Sequence, residues 1–164
     1  MTKIFSWIPI YNELANKLVE WENRQKEIID FIEKLRDKGY KVTALNDEND
    51  QGDRFPLTEI DPFTVFGVFN RGILEKERIG ILSEFKKEFN LQSPLPEDFE
   101  GIPVLNNMGS WFFAYQYDRN KEDIPKLWRV FKLALNNDGK DNFEFRLAFD
   151  EALKNRYVNI NLTM

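Results

Sequence analysis

Residues 60–73, IDPFTVFGVFNRGI, carry a helix start, a helix stop and, between them, a span with no polar side to turn toward water. Asp61 suits an N-cap, because its carboxylate can accept from a first-turn amide, and Pro62 suits the first helical position. Gly72 can take the left-handed conformation that commonly ends a helix, with the polar pair Asn70-Arg71 just before it. Between these signals lie about two and a half turns, and Phe63, Val65, Phe66, Val68 and Phe69 cover most of the circumference. A helix that is apolar nearly all round is normally buried. The rest of the chain therefore has to enclose it, and the corner Asn70-Arg71-Gly72 is expected at the surface.

The material for that enclosure is mainly helical. Residues 10–38 place Leu14, Leu18, Trp21, Ile28, Phe31, Ile32 and Leu35 at spacings of three, four and seven, which predicts one amphipathic helix ending near Gly39. Residues 74–89 repeat Ile79, Ile81, Leu82, Phe85 and Phe89 with a helical period, making a hairpin with the 61–70 helix about Arg71-Gly72. Residues 122–136 and 141–155 predict two further helices, the first with acids in its opening turn and bases beyond, as the helix dipole prefers. Residues 40–45 suit a short strand, 104–117 a strand or hairpin with Trp111, Phe112, Phe113, Tyr115 and Tyr117 within seven residues, and the alternating 156–163 another strand. The acidic run NDENDQGD (46–53) and the proline-rich 91–103 are expected to be loops. The expected fold is α+β, mainly α with a small β element: about five helices in one compact domain spanning residues 1–164.

Composition excludes more chemistry than it suggests. The chain has 164 residues, with 15 Phe, 4 Trp and 5 Tyr, enough for one substantial core. It has no Cys and no His, which removes thiolate zinc sites, Cys nucleophiles, the usual general base and every Ser-His-Asp arrangement. Its eight glycines form neither a G-x-x-x-x-G-K-[ST] loop nor a G-x-G-x-x-G turn, so nucleotide binding has no motif to rest on. No cofactor is expected. No apolar run approaches the length of a membrane span and the N-terminus does not read as a signal peptide, which makes the cytoplasm the expected compartment and excludes a membrane partner. A net charge of −5 argues against a general nucleic-acid coat but leaves room for a local basic face.

Three groups of residues could carry function. Lys126, Arg129 and Lys132 recur every three residues, with Arg119 and Lys121 upstream, so residues 119–132 hold five bases against two acids. That stripe could follow a phosphate backbone, or it is an ordinary solvated helix face. Asn106, Asn107, Ser110 and Trp111 combine amide donors and acceptors with a large ring, as reading a base requires, or they form a turn leading into a core strand. Asn70 and Arg71 present the same pair of readings at a helix corner. For metal-dependent nuclease chemistry, Glu84-Phe85-Lys86 fits E-x-K with Asp61 upstream. That motif belongs on a strand, whereas residues 74–89 read as a helix.

The stretches IDPFTVFGVFNRGI, ERIGILSEFKKEF, PEDFEGIPVLNNMGSWFFAYQYDRNKEDIPKLWRVF and VNINLTM, in this order, resemble the N-terminal region of McrB-type subunits of modification-dependent restriction systems. The likeness runs from about residue 11 to the C-terminus. In rhythm alone, residues 61–90 also resemble the opening of helix-hairpin-helix DNA glycosylases. The McrB resemblance implies a variable DNA-recognition region, preceding an AAA+ GTPase motor that recruits a separate nuclease subunit, and a role in phage defence. It implies DNA, possibly modified, as partner, and a chain that is not itself an enzyme and continues into a motor in its relatives. The leading expectation is a non-catalytic DNA-recognition module using Asn70, Arg71, Asn106, Asn107, Ser110, Trp111, Arg119, Lys126, Arg129 and Lys132, with no catalytic or metal-binding residue. The alternative is a protein–protein adaptor in the same system, and a distant third is a carboxylate-dependent nuclease.

Overall fold

The computed structural model describes residues 5–106, 111–137, 139, 142–155 and 158. Its order is α1 (Ile8–Val19), α2 (Gln25–Asp37), β1 (Asn46–Glu48), β2 (Arg54–Pro56), α3 (Pro62–Gly67), α4 (Glu75–Glu88), α5 (Asp123–Leu135) and α6 (Phe143–Leu153). Among the described residues, six α-helices and one two-stranded antiparallel sheet make the α+β fold that the periodicities predict.

The single helix expected over 10–38 is two. A 3-10 turn, Glu22–Arg24, separates α1 from α2, and Arg24 leaves helical geometry at φ −126° and ψ 33°. Six consecutive polar residues, 22–27, supply no apolar anchor there. The chain bends so that Trp21 packs on Phe89 at 4.7 Å with the Arg24 guanidinium 3.9 Å above its ring. Gln25 then accepts from Ile60 N at 2.8 Å, tying the start of α2 to the segment that leads into α3. At the other end α2 stops as expected: Gly39 takes φ +90°, and Tyr40 N reaches back to the Leu35 carbonyl.

The β element is displaced from its expected position. Residues 40–45 are not a strand; β1 lies inside the acidic run, pairing Asn46 with Pro56, Asp47 with Phe55 and Glu48 with Arg54. The turn between the strands is built by Asn49, whose Oδ1 accepts from Gln51 N and Asp53 N, and by Gly52 at φ +82°. In the 104–117 stretch, Leu105 forms an isolated parallel bridge with Arg71 and Gln116–Asp118 a 3-10 turn, in place of the expected strand. Of the strand expected over 156–163, all but Val158 lies outside the described residues.

Helix α3 begins as its sequence specifies, with the Asp61 side chain accepting from Phe63 N at 2.8 Å and Thr64 N at 3.0 Å. It is shorter than expected, ending at Gly67, and Gly72 does not adopt positive φ; the chain bends instead through an Ile73 N to Arg71 carbonyl bond of 2.7 Å. The main core surrounds this helix with α1, α2, α4 and the Ile124, Trp128 and Phe131 face of α5. A second core, of Phe112, Leu127, Val130, Ala148, Ala152 and Val158, lies between α5 and α6, and Phe63 packs against both.

Asp61 is fully buried, and desolvation pushes its carboxyl up to about 6 against the opposing pull of its hydrogen bonds from Thr64 and Phe63. A folded-state value above the unfolded 3.8 means that this group favours folding most below about pH 4 and loses that contribution as pH rises through 6. Measured by urea unfolding relative to Asp61→Asn, which keeps a cap acceptor without the charge, the native chain should lose roughly 2 kcal/mol of stability between pH 4 and pH 7.5. Parallel stability curves for the two proteins would contradict this.

Candidate nucleic-acid interface

The outer side of α3 is incompletely covered. Phe63, Phe66 and Asn70 face the segment Pro103–Leu105 and Phe112 across a cleft of about 150 Å³. Asn70 supplies the cleft's polar side chain and also builds its wall. Its Nδ2 donates to the Pro103 carbonyl at 2.8 Å, its Oδ1 accepts from the Tyr11 hydroxyl at 3.4 Å, and its carbonyl accepts from Leu105 N at 3.0 Å. Burial raises the Tyr11 phenol well above its ordinary value, so it stays a donor at any physiological pH.

Leu105 and Phe112 both line the cleft, so the segment between them leaves from its rim and returns to it. Asn106 is exposed at the departure, and Trp111 is half-buried at the return, 5.1 Å from Phe113 and 5.8 Å from Tyr115. Asn107 and Ser110 lie outside the described residues. The return is fixed from inside: Phe112 N donates to Thr64 Oγ1 at 3.2 Å, and that hydroxyl donates to the Asp61 carboxylate. The residue that caps α3 thereby also positions a wall of the cleft.

Two of the expected cations are not at the surface. Arg71, expected on an exposed corner, is buried; its guanidinium donates to Thr43 Oγ1 at 2.8 Å and to the Lys41 carbonyl. The backbone of the irregular 40–45 segment is only partly paired, Leu45 with Leu57 and Glu33, and Arg71 turns inward to satisfy the Lys41 carbonyl. The same desolvation lowers its pKa. Arg119, expected on the basic stripe, forms a buried ion pair with Asp47 at 2.6 Å and donates to the Ala114 carbonyl at 2.7 Å. Its charge is taken up in holding β1 against the 111–119 segment, where Asp47 also accepts from Gln116 N at 2.7 Å.

The stripe on α5 is at the surface but compensated. Leu127, Trp128, Val130 and Phe131 take the buried side of the helix, while Lys132 pairs with Glu22 at 2.6 Å and Arg129 with Glu144 at 3.6 Å. Lys126 lies close enough to Glu151 to help lower its pKa, behind the larger effect of the Lys154 hydrogen bond. Exposed pairs of this kind contribute on the order of 0–1 kcal/mol each, so their cations remain exchangeable toward phosphates.

The E-x-K sequence has no nuclease geometry. Glu84 lies on α4, bonded to Lys38 at 2.6 Å and Lys87 at 2.8 Å, which hold its carboxyl below the usual range, and Lys86 reaches the Ser93 carbonyl. Among the described residues no group of three or more carboxylates converges to hold a metal ion, and no helix is long and apolar enough to cross a membrane.

The Asp47–Arg119 pair joins residues 72 positions apart and had no local signal in the sequence. Arg119→Met strands a buried carboxylate and should cost about 3–5 kcal/mol in urea unfolding, whereas Asp47→Asn/Arg119→Met together should cost clearly less. Equal losses in the single and double variants would mean that the pair is not coupled.

No curated protein and no solved structure matches this chain. A family match covers residues 7–164, nearly the whole chain and all six helices, and on that match the chain belongs to the family described as Domain of unknown function (DUF8425).

Proposed function

We propose that the chain is a non-catalytic DNA-recognition module of a McrB-like, modification-dependent restriction subunit, acting in the cytoplasm alongside an AAA+ motor region and a nuclease subunit. The observation that supports this most is the cleft beside Asn70. Its volume of about 150 Å³ admits one six-membered ring, and Phe63, Phe66 and Phe112 give it an aromatic lining. Asn70 retains one N–H and further acceptor capacity beyond its two side-chain bonds, enough to address a base edge. Asn106 and Trp111 directly adjoin the lining residues Leu105 and Phe112 along the chain. Lys126, Arg129 and Lys132 are the cations available to phosphates; Arg71 and Arg119 act inside the fold.

A second reading, a protein–protein adaptor of the same system, is favoured by one observation. Phe143 and Leu147 lie a turn apart on α6 with 72% and 45% of their surfaces exposed, an apolar pair with no use in DNA binding.

Fluorescence polarisation with matched unmodified and methylated duplexes, over a range of salt, separates the two. The recognition reading expects tighter binding to one modification and at least a roughly ten-fold loss in Val104→Trp, which fills the cleft from its exposed rim. It also expects the salt slope to fall by about 1–2 in a Lys126/Arg129/Lys132 triple-alanine variant. Absence of binding to any duplex at low salt sinks the recognition reading and leaves the adaptor.

A further inference from the structure

The rings of Phe113, Trp111, Tyr115 and Tyr117 form a continuous chain, with centroid separations of 5.1, 5.8 and 6.0 Å. Its two ends differ in exposure. At the inner end Phe113 is buried, and the Arg119 guanidinium lies 5.2 Å from its ring while bonded to the Asp47 carboxylate. An aromatic face and a carboxylate together hold one guanidinium. At the outer end Tyr115 and Tyr117 are 36% and 53% exposed, and the acidic hairpin runs alongside, because Asp47 of β1 accepts from the backbone N–H of Gln116 between them.

Charge around the outer end is one-sided. Residues 46–56 and 111–122 together carry six carboxylates, Asp47, Glu48, Asp50, Asp53, Asp118 and Glu122, against three cations. Two of those cations are already engaged, Arg119 with Asp47 and Arg54 with Glu48 at 3.1 Å. Asp50 and Asp53 are exposed in the turn between β1 and β2. Phosphates are repelled by such a surface, and a purely apolar partner would strand the tyrosine hydroxyls and the carboxylates.

We infer that Tyr115 and Tyr117, together with the acidic β1–β2 hairpin whose Asp47 is tied to Gln116 between them, form a docking surface for an arginine-rich segment of a partner protein. Guanidinium is the better fit than ammonium, because its plane stacks on a ring while its edge forks to a carboxylate, as Arg119 does at the inner end. This surface is distinct from the Asn70 cleft and does not depend on DNA binding.

The test uses the intact chain and three fluorescent probes at about physiological ionic strength: octa-arginine, octa-lysine and a twelve-residue single-stranded oligothymidine. Octa-arginine should bind more tightly than octa-lysine. Tyr115→Ala/Tyr117→Ala should weaken octa-arginine binding by roughly five- to thirty-fold, whereas Tyr115→Phe/Tyr117→Phe, which keeps both rings, should preserve it. Asp50→Asn/Asp53→Asn should weaken binding, while Glu20→Gln/Asp37→Asn, the same charge change on the ends of α1 and α2, should not. Unchanged binding in the tyrosine-to-alanine variant, or equal losses from the two carboxylate pairs, would reduce the effect to attraction by net charge and overturn the proposal. Tyrosine-dependent binding of the oligothymidine in place of octa-arginine would also overturn it, marking a base-stacking surface.

Discussion

A six-residue helix with no polar side depends wholly on its surroundings, and the fold of this protein is arranged around supplying them to α3. Two turns of helix are not stable in water by themselves. Here the N-terminus is satisfied by Asp61, and the sides are closed by rings: Phe69 lies 5.1 Å from Phe85, which lies 4.9 Å from Phe31 of α2, while Phe63 and Phe66 meet Phe131 of α5 at 5.6 and 6.3 Å. Around it the helices also meet directly, α2 against α4 through Phe31 and Phe85, and α1 against α5. The enclosure is complete on the Val65 and Phe69 side and incomplete on the Phe63 and Phe66 side. The cleft is the remainder of that enclosure, which is why its walls are aromatic and why a bound ring would complete the same packing.

Much of this arrangement is legible in the sequence, because periodicity reports what a segment buries. The helices α4, α5 and α6 lie where the apolar spacing puts them, and Asp61 caps α3 as its residue type suggests. The spacing of seven between Trp21 and Ile28 misleads, because it fits a continuous helix as well as two helices meeting at a turn; the bend is seen only once Trp21 is found packed on Phe89, far along the chain. The position of the strands is hidden for a different reason. β1 is polar and acidic, with Asp47 turned inward, and a buried Asp in a strand makes sense only once Arg119 is beside it. Arg71 follows the same logic: its side chain reads as a surface cation until the Lys41 carbonyl and the Thr43 hydroxyl are brought beside it. In the candidate site, what was legible was residue type at Asn70 and Trp111. What was not legible was that Asn70 would also hold the cleft wall, a contact made across 33 positions.

The distribution of charge sets what the chain can recognise and how. Arg71 and Arg78 are both buried, and among the described residues neither pairs with a carboxylate; Arg71 donates to Thr43 and Lys41, and Arg78 donates to the Arg71 carbonyl while lying 4.6 Å from the Phe99 ring. Their Nε atoms have no hydrogen-bond partner, so these cations carry a desolvation cost that the surrounding packing has to offset. Such groups fix loops. They are not available as a phosphate-binding face. With Arg119 also internal, the exchangeable positive charge on α5 comes down to Lys126, Arg129 and Lys132, the last two from exposed pairs with Glu144 and Glu22. Three such cations would gain little from counterion release. Any discrimination it achieves on DNA has to come from the shape and polarity of the cleft, and any tight association with a protein from its exposed rings and carboxylates.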